Sequence, residues 1–76
     1  MRRPHTPPAE LAEIRASIIE LLANGEADTR TIAEWIGVDR SRARWHLLAL
    51  VEAGAVRFVR AVALRKGWVA HVWGVA

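Results

Sequence analysis

The side chains best suited to chemistry in this 76-residue sequence are a group of arginines with a serine and a tryptophan among them. The group consists of Arg40, Ser41, Arg42, Arg44 and Trp45. A guanidinium presents a fork of N–H donors that matches a phosphate, or the O6 and N7 atoms of guanine. Positive charges at the amino-terminal end of a helix oppose the helix dipole, so an outside anion should compensate them. The spacing therefore indicates a site that binds phosphate.

Two helices joined by a tight turn are predicted to position this group. Ile32, Ala33 and Ile36 place an apolar stripe on the first helix. Gly37 suits the left-handed conformation at a helix end, and Asp39 suits the N-cap of the next helix. The predicted apolar face of the second helix and the glycine that ends it are Ala43, Leu47, Leu50, Val51 and Gly54. The arginines lie on the opposite face of the same helix.

Residues 32–56 follow the pattern Ile-Ala-Glu-x-Ile-Gly-Val-Asp-x-Ser-x-Ala-x-x-His-Leu-x-x-Leu-x-x-x-Gly-Ala-Val. This pattern resembles the helix-turn-helix of winged-helix bacterial regulators of the arsenic-repressor and multiple-antibiotic-resistance type. The resemblance covers the helix-turn-helix closely and the rest of the chain in outline. It implies an α+β fold, a three-helix winged helix-turn-helix with a C-terminal β-hairpin wing. It also implies sequence-specific binding of double-stranded DNA by a small transcriptional repressor, with residues 39–53 in the major groove.

The resemblance and the chemistry of the basic side chains together give a set of expected DNA contacts. The set is Arg40, Ser41, Arg42, Arg44, Trp45, His46, Arg65 and Lys66. The first five should face the major groove, whereas Arg65 and Lys66 at the wing tip should contact the backbone. Arg57 or Arg60 would add to the same basic surface. His46 is expected to be either packed or in contact with phosphate.

Charge is distributed unevenly along the chain. Residues 1–39 carry four basic and seven acidic residues, whereas residues 40–76 carry seven basic residues and one acidic residue. The positive charge thus begins where the predicted recognition helix begins, which favours a polyanionic partner. The length indicates one domain, and the sequence has no cysteine, apolar span or signal peptide. A cytoplasmic protein is therefore expected.

The first predicted helix should supply core rather than function. We expect a flexible tail over residues 1–6, a cap at Thr6, and Pro7 and Pro8 in the first turn of the helix. The domain would then span residues 7–76, with the helix-turn-helix at about 29–53. Arg15 should be solvated, and either Asp28 or Thr29 should cap the second helix. The apolar stripe of the first helix consists of Leu11, Ile14, Ile18, Leu21 and Leu22.

Beyond Gly54 the hydrophobic period changes to two, which predicts a hairpin, the wing, over about residues 56–75. Residues 65–67 form its turn, with Gly67 in a left-handed position. If Leu64 pairs with Trp68, both faces of the hairpin are apolar. One predicted face is Val56, Phe58, Val62, Leu64, Trp68 and Val72, and the other is Val59, Ala61, Ala63, Val69, Trp73 and Val75. The excess of apolar surface predicts a homodimer, with Phe58, Val59, Trp68 and Trp73 as candidate interface residues.

Enzymatic chemistry has little support in the sequence. Ser17 and Ser41 have no base nearby in sequence, and there is no glycine-rich phosphate loop or cysteine nucleophile. The three histidines, His5, His46 and His71, are scattered, so no metal site is expected. The cysteine metal-sensing motif of arsenic-repressor relatives is absent, and no cofactor is predicted.

Two other functions remain open at this stage. Four tryptophans and an apolar hairpin also suit a winged-helix protein-interaction module, such as a small virus-encoded protein that binds host machinery. A binder of structured RNA is the third alternative. Trp35 is equally compatible with packing under the first helix or the wing and with an exposed contact surface.

Overall fold

The computed structural model describes residues 8–76, with side chains from Glu10 onward. The elements are α1 (Pro8–Ala23), β1 (Ala27–Asp28), α2 (Thr29–Ile36), α3 (Arg40–Glu52), β2 (Val56–Ala63) and β3 (Val69–Val75). The strands form one antiparallel sheet in the order β1-β3-β2. The predicted α+β class, with three helices and a C-terminal hairpin, is confirmed. The predicted tail over residues 1–6, the Thr6 cap and Pro7 lie outside the described residues.

The turn between α2 and α3 forms through the local signals that the sequence carries. Gly37 ends α2 with φ of 76°, a left-handed conformation that glycine adopts without steric cost. The Asp39 side chain accepts a hydrogen bond from the Arg42 amide at 2.7 Å and so caps α3. Asp28 caps α2 by accepting from the Thr31 amide at 2.8 Å, which decides between the two caps considered. These caps fix where α3 begins and therefore which side chains its first turns expose.

The core lies between the three helices and the inner face of the sheet. Its buried residues are Ile18, Leu22, Ile32, Leu47, Leu50, Val56 and Trp73. Val51 was predicted on the apolar face of α3, but its side chain is 38% exposed. Each residue of a helix is rotated by about 100° from the one before it, so Val51 is turned away from the buried Leu50. No helix within residues 8–76 is long and apolar enough to cross a membrane.

The faces of the hairpin differ from the prediction because β2 contains a bulge. Leu64 does pair with Trp68, but the register shifts by one residue between Phe58 and Arg60. Since directly paired residues of an antiparallel ladder point to the same face, the shift turns Phe58 to the side of Trp73. Their rings lie 5.5 Å apart. The extra residue, Val59, is half-buried on the outer face.

The bulge and the packing of the core change the surroundings of two predicted interface residues, Val59 and Trp73. Trp73 was predicted as a candidate interface residue, but its side chain is 3% exposed and belongs to the core, so that prediction is wrong. Val59 lies over Gly74, where its Cγ2 atom would be 3.2 Å from an added Cβ. Phe58 is 47% and Trp68 is 64% exposed. Surplus apolar surface thus exists on the hairpin, but Trp73 is not part of it.

The short strand β1 was not predicted. It pairs with β3 through Ala27 opposite Trp73 and Asp28 opposite Val72. This pairing covers the edge of β3 that a two-stranded hairpin would leave open. It also brings the start of α2 against the sheet, because α2 follows β1 directly.

Candidate nucleic-acid interface

The exposed face of α3 consists of the five residues that the sequence singled out. Arg40, Ser41, Arg42, Arg44 and Trp45 are all exposed. On the other side of the same helix, Ala43 and Leu47 are wholly buried. The prediction that these side chains point away from the core is thus confirmed, while their contact with DNA stays a prediction. Leu48, one turn beyond Arg44, extends this face with an apolar side chain that is half exposed.

Several arginines elsewhere in the fold are engaged with other parts of the protein. The contacts are Arg30 Nε to Glu34 Oε2 at 3.4 Å, Arg60 Nη1 to Glu26 Oε1 at 2.8 Å, and Arg57 Nε to the Val75 carbonyl at 3.3 Å. Arg57 and Arg60 were considered as additions to the basic surface. The structure instead gives each of them a partner at the base of the hairpin.

Arg40 and Arg44 differ from these arginines. Neither side chain forms a hydrogen bond or ion pair with any residue from 10 to 76. Both lie in the first half of α3, where the positive end of the helix dipole makes a cation unfavourable. Two guanidinium groups that have no partner among residues 10–76 lie on one exposed helix face and form a positive surface available to an external anion.

The tip of the hairpin carries a second pair of cations. The turn is a single 3-10 turn over Arg65–Gly67, closed by a hydrogen bond from the Trp68 amide to the Arg65 carbonyl at 3.1 Å. Gly67 has φ of 79°, as predicted, and Lys66 is left-handed as well, with φ of 57°. Arg65 and Lys66 are exposed and have no ion pair within the described part of the chain. Their contact with the DNA backbone remains a prediction.

His46 does not belong to this surface. Its side chain is wholly buried, and its ring packs edge-on against Trp45 with centroids 4.9 Å apart. Neither ring nitrogen has a hydrogen-bond partner among the described residues. Burial, and then the nearby charges of Arg15 and Arg42, lower the pKa of His46, so the neutral ring is favoured. Of the two alternatives the structure selects packing, and the predicted DNA contact of His46 is wrong.

Arg15 is a residue whose placement sequence reasoning missed. It was expected to be solvated, but it is half-buried, and its guanidinium carbon lies 5.4 Å from the centre of the Trp45 ring. A cation over an indole face is attracted by the negative charge of that face. Thirty residues separate the two in sequence. Only the packing of α1 against α3 brings them together, and no local pattern could have shown it.

The surroundings of Trp45 form a shallow recess rather than an enclosed pocket. An open cavity of about 360 Å³ is lined by Asp39, Ser41, Arg42 and Trp45. Within residues 8–76, no three metal-ligating side chains come together. The recess lies at the start of α3, so it is continuous with the positive surface of Arg40 and Arg44. The arrangement suits the binding of a polyanion along α3 rather than the enclosure of a small molecule.

Three helices, a helix-turn-helix with an exposed basic second helix, and a C-terminal hairpin define this chain as a winged helix-turn-helix domain. Solved structures of the same class are similar to it. The Zalpha domain of PKZ from Carassius auratus, in complex with Z-DNA, has 28% sequence identity and a TM-score of 0.69, over 87% of this chain and 97% of that domain. No protein-family profile and no curated protein sequence matches the chain.

Two further solved structures share the fold at lower identity. ZitR from Lactococcus lactis has 22% identity and a TM-score of 0.69, over 90% of this chain and 49% of ZitR. This chain therefore spans about half the length of ZitR. The PcaV transcriptional regulator from Streptomyces coelicolor, in complex with its natural ligand, has 20% identity and a TM-score of 0.56, over 100% of this chain and 68% of that chain.

Proposed function

We propose that this protein binds double-stranded DNA with the exposed face of α3 in the major groove, and acts as a small transcriptional repressor. The observation that carries the proposal is the contrast among the arginines. Those at the base of the hairpin have partners within the protein, whereas Arg40 and Arg44 have none among residues 10–76. An exposed pair of arginines on a helix of this fold is suited to guanine edges and phosphates. The likeness to a Zalpha domain solved in complex with Z-DNA supports the DNA-binding part of the proposal.

The wing provides the second contact in this proposal. Arg65 and Lys66 project from the far end of the hairpin, where their charges can meet the phosphate backbone while α3 lies in the groove. Contacts of this kind add affinity without reading sequence. In this proposal α3 selects the DNA sequence, and the wing tip strengthens binding to every duplex.

A homodimer completes the proposed repressor. One recognition helix reads only half of a typical operator, so a two-fold dimer on a palindromic site is the usual arrangement. The outer face of the distal hairpin supports it, because Leu64 and Trp68 are 54% and 64% exposed on that face. A second copy that covered these side chains would remove a large apolar area from water.

The DNA-binding proposal is tested by replacing Arg40 and Arg44 with glutamine and measuring binding to duplex DNA across a range of salt concentrations. We expect the double variant to lose about 1–3 kcal/mol of binding free energy for each guanine contact removed. The wild-type protein should bind more weakly as salt rises, because phosphate contacts release counterions. Arg57→Gln with Arg60→Gln is the matched control, since this double variant removes two arginine charges from the base of the hairpin.

The outcome separates the alternatives. Equal affinity of the Arg40 and Arg44 double variant and the wild type would contradict the proposal. Absence of binding to any duplex, together with salt-insensitive capture of a protein partner, would favour the protein-interaction module instead. The fold of each variant is checked by circular dichroism, because the substituted arginines are exposed and should not alter it.

Left-handed DNA is a second candidate ligand. The observation that favours it is the likeness to a Zalpha domain solved with Z-DNA, which this chain covers over 97% of its length. An alternating CG duplex distinguishes the two ligands, because its B form and its Z form have different circular dichroism spectra. Conversion of the B-form spectrum to the Z-form spectrum by the protein would support this candidate, and an unchanged spectrum would contradict it.

A further inference from the structure

We infer that Trp45 is a specificity-determining residue that reads the C5-methyl group of a pyrimidine in the major groove, with Arg15 as the positioning residue that holds its indole. The inference rests on the proposed binding of α3 to duplex DNA. It concerns two residues, 30 positions apart in sequence, whose contact appears only in the folded chain.

Trp45 exposes a large apolar surface on the same helix face as the arginines of α3. Its side chain is 52% exposed, and Ser41, one turn earlier, lines the same recess. An indole is among the largest apolar side chains, so leaving half of it in water forgoes a substantial stabilisation. The folded domain itself therefore does not account for a tryptophan at this position.

The indole is held in one orientation from two sides. The Arg15 guanidinium lies over its ring at 5.4 Å, and the edge of the buried His46 ring meets it at an interplanar angle of 61°. His46 is wholly buried in the domain, and Arg15 is half-buried on α1. A side chain fixed in this way loses little conformational freedom when it binds, which strengthens the contact it makes.

Arg15 contacts the indole through its guanidinium and forms no hydrogen bond at Nε within residues 10–76. That atom is buried. The guanidinium covers one side of the indole. The remaining exposed surface of Trp45 borders the recess that Ser41 and Arg42 also line. The free surface of the ring is therefore part of the face of α3 that would enter the groove.

The major groove offers this apolar surface one kind of partner. Bases in a duplex are stacked, so a protein in the groove meets only their edges. Those edges carry hydrogen-bond donors and acceptors, and the apolar group among them is the C5-methyl of thymine. A 5-methylcytosine carries the same methyl group at the same position of the ring. The shared chemistry is thus a pyrimidine C5-methyl, from either thymine or methylated cytosine.

The experiment uses a duplex selected by the full chain from a random library. It is synthesised in its original form, with uracil in place of every thymine, and with 5-methylcytosine in place of cytosine. Each methyl group that Trp45 contacts should change the dissociation constant about fourfold, which corresponds to about 0.8 kcal/mol for one buried methyl-sized group. Weaker binding of the uracil duplex identifies thymine as the source, and tighter binding of the methylated duplex identifies 5-methylcytosine.

Four variants assign the effect to the residues. The ratio to follow is that of the dissociation constants for a duplex with and without the pyrimidine methyl groups. Trp45→Ala should bring this ratio to about one. Trp35→Ala, which removes a similarly exposed indole from α2, should leave it unchanged. Arg15→Gln should lower the ratio with little change in the denaturation midpoint. Arg15→Lys, which keeps the cation, should restore part of it. A purely structural role of Arg15 would lower affinity for all three duplexes equally and leave the ratio intact.

Two results would overturn the inference while leaving DNA binding in place. One is equal affinity for all three duplexes. The other is a methyl effect that survives in Trp45→Ala and disappears in Leu48→Ala, which would assign the reading to the neighbouring apolar side chain. If no duplex from the library binds at all, the proposed function fails first, and the two failures are therefore distinguishable.

Discussion

His46 is the residue whose surroundings fit its chemistry least well. Its ring is wholly buried on α3, and neither nitrogen has a partner in the described part of the chain. A buried polar group without a hydrogen bond lowers stability, and a buried charge lowers it further. The neutral ring packs against Trp45. Protonation would place a third positive charge close to Arg15 and Arg42, which both act to lower the pKa of His46.

This position should make the free energy of unfolding decrease as pH falls through the range in which an unfolded histidine titrates. Burial lowers the native pKa of His46 below the value of about 6.5 found in an unfolded chain, so the unfolded state takes up more protons as pH falls. The free energy of unfolding should therefore decrease as pH falls below about 6.5. Urea titrations at pH 8 and pH 5 measure the change. His46→Leu should remove most of this difference in the free energy of unfolding, and His71→Gln should retain it. The same pH dependence in His46→Leu as in the wild type would refute the assignment.

At the scale of elements, α2 and the sheet are joined by a short hydrogen-bond chain. The Trp73 indole Nε1 donates to Thr29 Oγ1 at 2.8 Å, and the same hydroxyl donates to the His71 carbonyl at 3.4 Å. Thr29 is the first residue of α2, and Trp73 and His71 lie on β3. The contact satisfies the polar atom of a tryptophan that is otherwise surrounded by apolar core. It therefore fixes the start of the helix-turn-helix against the base of the wing.

Removing this hydroxyl should cost stability without altering the exposed face of α3. Thr29→Val keeps the shape of the side chain but leaves the buried indole N–H unsatisfied, which we expect to lower the free energy of unfolding by about 1–3 kcal/mol. Ser17→Ala, which removes an exposed hydroxyl from α1, should change it by less than about 0.5 kcal/mol. Chemical denaturation followed by circular dichroism gives both values. Similar losses in the two variants would mean that the hydrogen bond contributes nothing specific.

The sequence predicted those elements whose signals are local. Asp39 and Gly37 lie beside the turn that they define, and the spacing of Ala43, Leu47 and Leu50 marks the buried side of α3 directly. The bulge at Val59 was not predictable, because apolar residues occur on both faces of the strand and the pattern fits a strand with or without one extra residue. That single residue reassigned Phe58 to the other face of the hairpin.

Contacts between segments that are distant in sequence could not be predicted from the residue pattern either. β1 has only two residues and forms because β3 offers it an edge. The Arg15–Trp45 contact depends on how α1 crosses α3. At the candidate site, the exposed face of α3 followed from helical period. The burial of His46 did not, because a histidine at that position lies at the margin of the apolar stripe.

At the scale of the whole molecule, exposed apolar and basic surfaces are both found on the hairpin. Trp68 and Leu64 lie on its outer face, next to Arg65 and Lys66 at its tip. The burial of Trp73 decides which tryptophan can be substituted to test dimerisation. A charge at Trp73 would disrupt the core, whereas a charge at Trp68 would disrupt only an interface.

We expect the protein to be a homodimer at micromolar concentration and Trp68→Glu to be a folded monomer. An interface on the outer face would have to desolvate the introduced carboxylate, which costs far more than an apolar contact returns. Light scattering gives the mass of each form, and circular dichroism confirms folding. Trp35→Glu is the control, since it places the same charge on α2. A mass of 8.5 kDa for the wild type at every concentration would contradict the dimer.

The base and the tip of the hairpin should differ in how easily their backbone hydrogen bonds open. At the base, Val56 is held in the core, and its partner strand runs through Trp73. At the far end, Ala63 and Val69 pair with each other while both are exposed. Amide hydrogens near the tip can therefore exchange with solvent through local fraying. Those at the base exchange only when a much larger part of the domain unfolds. The wing is thus anchored at one end, and in the proposed complex its more easily opened tip would let Arg65 and Lys66 adapt to a curved DNA backbone while α3 stays fixed.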